Sequence, residues 1–135
     1  MDVPKLHVII LAGGKGERLF PLSTPDRPKQ FLRLFGEFSL LQETILRLQT
    51  LPFSTIGVST IKKYEELVFD QTYELGLKNM SADIWVEGEE AKGTAASMEY
   101  VLHRFLFDGL SNLNDLFLFC PCDHVIANKG NFAMA

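Results

Sequence analysis

Leu11-Ala12-Gly13-Gly14-Lys15-Gly16-Glu17-Arg18-Leu19-Phe20-Pro21-Leu22, continuing to Pro28-Lys29-Gln30-Phe31-Leu32, organises the rest of this chain. It emerges from an apolar run, Leu6-His7-Val8-Ile9-Ile10-Leu11, whose lack of alternation marks a strand buried on both faces, as in a parallel sheet. Leu11, Ala12, Gly13, Gly14, Lys15 and Gly16 therefore fall at the carboxyl edge of a sheet, where α/β folds bind their ligands. Glycines there let the backbone approach a ligand with its N–H groups turned towards an anion.

Two cations join the glycines. Arg18 carries a planar fork that suits two phosphate oxygens, and Lys29 a compact point charge on a flexible stem, so the pair is expected to hold different phosphates of a nucleoside triphosphate. Two other glycine motifs fail on their own terms. A P-loop needs Lys followed by Ser or Thr, which Gly14-Lys15-Gly16 does not offer. A dinucleotide fingerprint forced onto Gly14 to Leu19 lacks its third small residue, and no acid ends the second strand at Val58-Ser59-Thr60.

Outward from the loop, strands alternate with helices. Ser23 to Pro28, with two prolines, predicts an irregular exposed loop whose mobility would let Lys29 close over a ligand. Ser39-Leu40-Leu41-Gln42 is a capping box for a helix marked by Leu41, Ile45, Leu48 and Leu51 and stopped at Pro52. Thr55 to Thr60 predicts a second strand, Lys62 to Gly76 a second amphipathic helix, and Asp83 to Val86 a third strand with Trp85 in the core. Tyr64, Phe69 and Tyr73 are expected to be core or half-buried. Thr94 is expected to cap a third helix ending near Gly109, its small Ala95 and Ala96 admitting a base or ribose. Asp115 to Cys120 is the last strand, followed by Pro121-Cys122-Asp123-His124. A carboxylate just past a buried parallel strand suits Mg²⁺ over bound phosphates, which makes Asp123 the expected metal ligand. The alternation predicts an α/β fold with a Rossmann-like parallel sheet and flanking helices.

The spaced set Gly13-Gly14-Lys15-Gly16-Glu17-Arg18-Leu19, Pro21-Leu22 and Pro28-Lys29 resembles the signature of sugar-nucleotide pyrophosphorylases. Pro28-Lys29-Gln30-Phe31-Leu32 is most similar to the mannose-1-phosphate guanylyltransferases, and Gly93-Thr94-Ala95-Ala96-Ser97 and Pro121-Cys122-Asp123-His124 extend the likeness over nearly the whole chain. The resemblance implies strand order 3-2-1-4 and a truncated nucleotidyltransferase domain, residues 1–135 being its N-terminal nucleotide-binding half. It implies transfer of GMP from GTP to mannose 1-phosphate, giving GDP-mannose and pyrophosphate. In that reaction Arg18 and Lys29 act on the phosphates, the backbone from Leu11 to Gly16 cradles them, Glu87, Gly93 and Thr94 border the nucleoside, and Asp123 holds Mg²⁺. Gly88 and Gly93 stand where the guanylyltransferase pattern has Pro and Asn, which leaves another nucleotide or sugar open. A nucleotide-binding module without catalysis is the other class of reading.

The composition is that of a soluble globular chain, 47% hydrophobic and 22% charged. A net charge of −4 argues against nucleic-acid or anionic-membrane binding. Residues 1–50 hold seven Lys or Arg against five acids, while residues 51–135 hold six against twelve, so positive charge gathers around the glycine loop. The N-terminus lacks a signal-peptide layout and no apolar run reaches spanning length, so a cytoplasmic protein is expected. Cys120 and Cys122 form neither a redox pair nor a zinc framework and are expected to be free thiols. The apolar strand leading to Asp123 would expose an edge, which predicts self-association or a second chain covering it.

Overall fold

The apolar run at the start is strand β1, Leu6–Leu11, and it lies inside a four-stranded sheet. The computed structural model describes residues 3–14, 21–76 and 83–122. Around β1 stand α1 (Leu40–Leu48), β2 (Thr55–Thr60), α2 (Glu65–Glu74), β3 (Asp83–Val86), α3 (Thr94–Phe107) and β4 (Leu116–Pro121). The order is β3-β2-β1-β4 and every pairing is parallel, as the resemblance implied. In register, Ile9 of β1 faces Gly57 of β2 and Phe119 of β4.

Alternate residues of β1 build two apolar layers, because successive side chains in a strand point to opposite faces. Val8 and Ile10 meet Leu41, Ile45 and Leu48 of α1 and Val68 of α2, whereas Ile9 meets Val101 and Phe105 of α3. Both faces are thus covered, which is why β1 reads as a continuous apolar run. The capping box of α1 is formed: Gln42 N–H donates to Ser39 Oγ, and Ser39 N–H donates to the Gln42 side chain. Ser39 Oγ then donates to Gln71 Oε1 at 2.5 Å, and Gln71 Nε2 donates to Phe31 O at 3.0 Å. This buried relay locks α1, α2 and the 3-10 turn Lys29–Phe31 together.

Two expectations need correction. Thr94 does not cap α3: Gly93 is the N-cap, with φ +98, and supplies no side-chain cap. The segment from Ser23 to Pro28 is an irregular turn with Pro25, Asp26 and Arg27 exposed, as expected, and it is held by hydrogen bonds. Thr24 and Arg27 exchange backbone hydrogen bonds of 3.2 and 3.1 Å, and the Tyr64 hydroxyl donates to Pro25 O at 2.8 Å. Tyr64 is accordingly core, but Phe69 and Tyr73 stack on the solvent side of α2, 59% and 78% exposed. Cys120 and Cys122 are buried and share no disulfide, as expected, and burial pushes the Cys120 thiol up.

At the amino edge of the sheet, away from the glycines, Asp115 ties the start of β1 to the start of β4. Its carboxylate accepts from Lys5 N–H, Asn112 N–H and His7 Nε2, each at 3.0 Å. Those donors, the Lys5 amide foremost, hold the carboxyl at about 2. A carboxyl depressed in the folded chain stabilises it above the unfolded pKa of about 3.9, and that contribution is lost as pH falls through the folded value. Asp115→Asn is therefore expected to lower Tm at neutral pH, with the gap to the wild type closing between about pH 4 and pH 2. Thermal unfolding against pH checks this; a gap independent of pH contradicts it.

Candidate functional site

The carboxyl ends of β1 and β4, the N-terminus of α3 and the Lys29–Phe31 turn converge on one cleft of ≈ 410 Å³. Leu11, Gly13 and Gly14 line it from β1, Lys29 and Gln30 from the turn, and Gly93 and Thr94 from α3. Pro121 and Cys122 complete the wall at the end of β4. Six of the residues singled out from the sequence therefore share one cavity. Lys29 is half-buried there with no acidic partner among the described residues, so its charge is available to an anion. Because Gly93 brings no capping side chain, the first amides of α3 are not covered by a side-chain oxygen, and the helix dipole adds to the attraction for a negative ligand.

Ala12 has a different place. It is buried, its N–H donates to Ser59 O at 2.8 Å, and its carbonyl accepts from Thr60 Oγ1 at 2.9 Å and Gln30 Nε2 at 3.3 Å. These bonds fasten the start of the glycine loop to β2. Lys15, Gly16, Arg18 and Asp123 lie outside the described residues. No group of three or more metal-ligating side chains occurs among the described residues.

Glu87 stands at the side of this cleft, just past β3. A Cβ on Gly13 would lie 3.5 Å from Glu87 Oε1, so the carboxylate reaches the glycine loop. Glu87 N–H donates to Thr60 O at 2.9 Å and Lys62 N–H to Gly88 O at 2.8 Å, which pins this loop against β2. Both carboxylate oxygens are buried and have no hydrogen-bond partner among the described residues. An unpaired buried carboxylate is costly, so it is a group awaiting donors. Its neighbours Glu89 and Glu90 are exposed.

Residues 7–135 match the model of the nucleotidyl transferase family. The chain belongs to that family. It is 36% identical over 124 residues to a mannose-1-phosphate guanylyltransferase of Escherichia coli, covering 92% of this chain and 25% of that protein. It is 32% identical over 127 residues to the alginate biosynthesis protein AlgA of Pseudomonas aeruginosa, again with 25% of the relative covered. The nucleotidyl transferase chain thus spans about a quarter of the length of these relatives. Among solved structures, a mannose-1-phosphate geranyltransferase from Thermus thermophilus superposes with a TM-score of 0.77 at 27% identity, over 96% of this chain and 36% of that one.

Gln30 is the residue of this nucleotidyl transferase site whose role the sequence did not disclose. It is 4% exposed, and its Nε2 donates to Ala12 O at 3.3 Å and Gly14 O at 2.7 Å. It thereby holds the turn that carries Lys29 against the glycine loop. The one available signal was its place beside Lys29. Gln30→Ala removes both donors and is expected to cost about 1–3 kcal/mol of stability and to weaken triphosphate binding several-fold. Denaturant unfolding and calorimetry check both; unchanged binding contradicts the positioning role.

Proposed function

We propose that this chain transfers GMP from GTP to mannose 1-phosphate, forming GDP-mannose and releasing pyrophosphate. The observation that carries the reading is the unpartnered Glu87 carboxylate beside the Gly13-Gly14 loop, on the same sheet edge as Lys29. A carboxylate is an acceptor only, and the guanine edge offers it two neighbouring donors, N1–H and the N2 amino group. Uracil and thymine offer one donor between two carbonyls, and adenine offers an acceptor at N1. The mannose assignment is supported by likeness to the mannose-1-phosphate guanylyltransferase of Escherichia coli.

In the proposed reaction an anionic phosphate oxygen of mannose 1-phosphate attacks the α-phosphorus of GTP in line. A P–O bond forms there, the α–β bridging P–O bond breaks, and its electron pair leaves with pyrophosphate. The nucleophile is already ionised, so no general base is required, and the residues work by orientation and charge neutralisation. Backbone amides from Gly13 to Gly16 cradle the triphosphate, Lys29 holds the reacting phosphates, and Arg18 stabilises the departing β and γ phosphates. Gly93 and Thr94 border the ribose. Asp123, the residue after Cys122 of the cleft wall, would hold Mg²⁺, whose chemistry is to neutralise phosphate charge.

Pyrophosphate release from GTP with mannose 1-phosphate, measured against GTP alone, tests the reaction. GTP binding without release supports the nucleotide-binding module instead, and release with another sugar phosphate only would overturn the mannose assignment.

We also propose self-association through β4. Among the described residues this strand pairs only with β1, and Leu110, Leu113 and Leu116 nearby are more than half exposed. No described helix is long and apolar enough to cross a membrane. Light scattering at micromolar concentration should report an assembly, and a monodisperse monomer contradicts it.

A further inference from the structure

We infer that α2, none of whose residues lines the cleft, sets the place of Lys29 for phosphate, with Tyr64 and Gln71 as the positioning residues. This rests on the proposed role of Lys29 and adds what fixes its ammonium in register. Lys29 stands between two anchored carbonyls. On its N-terminal side Pro25 O accepts from the Tyr64 hydroxyl at 2.8 Å, and on its C-terminal side Phe31 O accepts from Gln71 Nε2 at 3.0 Å. Both donors come from one buried face. Tyr64 is the N-cap residue of α2, and Gln71 follows about two turns on, beyond the buried Val68. The spacing of the two donors, about 10 Å along the helix axis, is thereby imposed on the segment from Pro25 to Phe31.

The chemistry of Gln71 argues for direction rather than stability. A buried amide gains little net from a hydrogen bond and loses much without one, so an apolar side chain of similar length would fill the same space at no such risk. Here both ends of the Gln71 side chain are used. Ser39 Oγ accepts from Gln42 N–H as the cap of α1, so its own proton goes to Gln71 Oε1, at 2.5 Å, and Nε2 is left to face Phe31 O. Gln42 Nε2 in turn donates to Gln71 O at 2.9 Å. A satisfied buried network of this kind fixes one geometry. The Phe31 ring also packs on Tyr64, 5.6 Å between centroids, but apolar packing has no direction and does not set register. The exposed Lys63–Asp26 pair, 3.0 Å apart, is screened by water and holds the turn less. Gln30 ties the same turn to Ala12 O and Gly14 O, so Lys29 is placed from the glycine loop and from α2 at once.

Calorimetric titration of the full chain with inorganic tripolyphosphate tests this. Tyr64→Phe removes one hydroxyl and keeps the buried ring, and Gln71→Met removes the amide and keeps its length. Each is made in the unaltered chain and in Lys29→Ala. Each should weaken tripolyphosphate by about three- to tenfold when Lys29 is present and change nothing further when it is absent. A role in folding alone would lower affinity equally in both backgrounds, or lower Tm with affinity intact, and either result overturns the inference while leaving the functional reading. Tyr64→Phe carries the test by itself if Gln71→Met does not fold. Equal binding of tripolyphosphate by the unaltered chain and by Lys29→Ala would overturn the role of Lys29 and this inference with it. Failure of the unaltered chain to bind tripolyphosphate would overturn the functional reading itself.

Discussion

Lys29→Ala is expected to slow nucleotidyl transfer by about 100- to 1000-fold with little change in folding stability. Lys29 is half-buried in the cleft and unpaired among the described residues, so its removal breaks no internal ion pair there. Two unit charges about 4 Å apart interact by about 4 kcal/mol at an effective dielectric of about 20. Charge moves onto the leaving pyrophosphate in the transition state, so most of that interaction is lost from the barrier rather than from ground-state binding alone. Because Gln30 rather than Lys29 fastens the turn, the unfolding free energy should change by no more than about 0.5 kcal/mol. Lys29→Arg restores charge without the compact ammonium and should recover part of the rate. Steady-state pyrophosphate release checks the series; a loss under about tenfold for Lys29→Ala would remove Lys29 from the reacting phosphates.

The second large effect falls on folding. Gly57→Ala is expected to destabilise the chain by about 3 kcal/mol or more, which lowers Tm by roughly 10 °C. Gly57 sits in β2 directly beneath the Trp85 ring of β3: a Cβ there would lie 1.9 Å from Trp85 Cζ3 and 2.4 Å from Cη2. It would also lie 2.7 Å from Asp83 O, a backbone atom of the neighbouring strand that cannot rotate away. Trp85 in turn packs on Phe105 of α3 at 5.1 Å between ring centroids, so a displaced indole disturbs the α3 layer. Combining Gly57→Ala with Trp85→Leu should recover part of the loss, giving a non-additive pair. Thermal unfolding of the two single variants and the double variant decides this. Strict additivity would mean that the two side chains do not compete for the same space.

Legibility in the sequence followed the range of the interactions. Leu6–Leu11 and Thr55–Thr60 were readable to the residue because their signals are local, a continuous apolar run in the first and β-branched residues in the second. Strand β4 runs one residue later than the pattern indicated, Leu116–Pro121, because Pro121 pairs in register with Leu11 on a strand with one neighbour among the described residues. The strand order came from resemblance, since parallel crossovers leave no local trace. Asp115 was read as the first residue of that strand, whereas its side chain holds His7, 108 positions away in the chain.

The site shows the same division. Gly13, Gly14 and Lys29 announced themselves by residue type, and they do share a cleft. Glu87 was singled out by the resemblance alone, since the cluster Glu87, Glu89 and Glu90 does not distinguish its members, and the folded chain separates the buried carboxylate from its exposed neighbours. Gln30 was invisible because a glutamine has no function of its own until two carbonyls, 16 and 18 residues away, are brought to it. Thr94 was favoured as a cap by its hydroxyl, yet the turn into α3 is made at φ +98, a conformation that glycine adopts freely and threonine does not.

The central claim is that the carboxyl-edge cleft, flanked by Glu87, binds GTP. Calorimetric titration of the chain with GTP and with dTTP, in the presence of Mg²⁺, tests it most directly. The account predicts one GTP bound per chain, more tightly than dTTP, with the preference lost in Glu87→Gln. Binding of neither nucleotide, or equal binding of both by the unaltered chain, would contradict it.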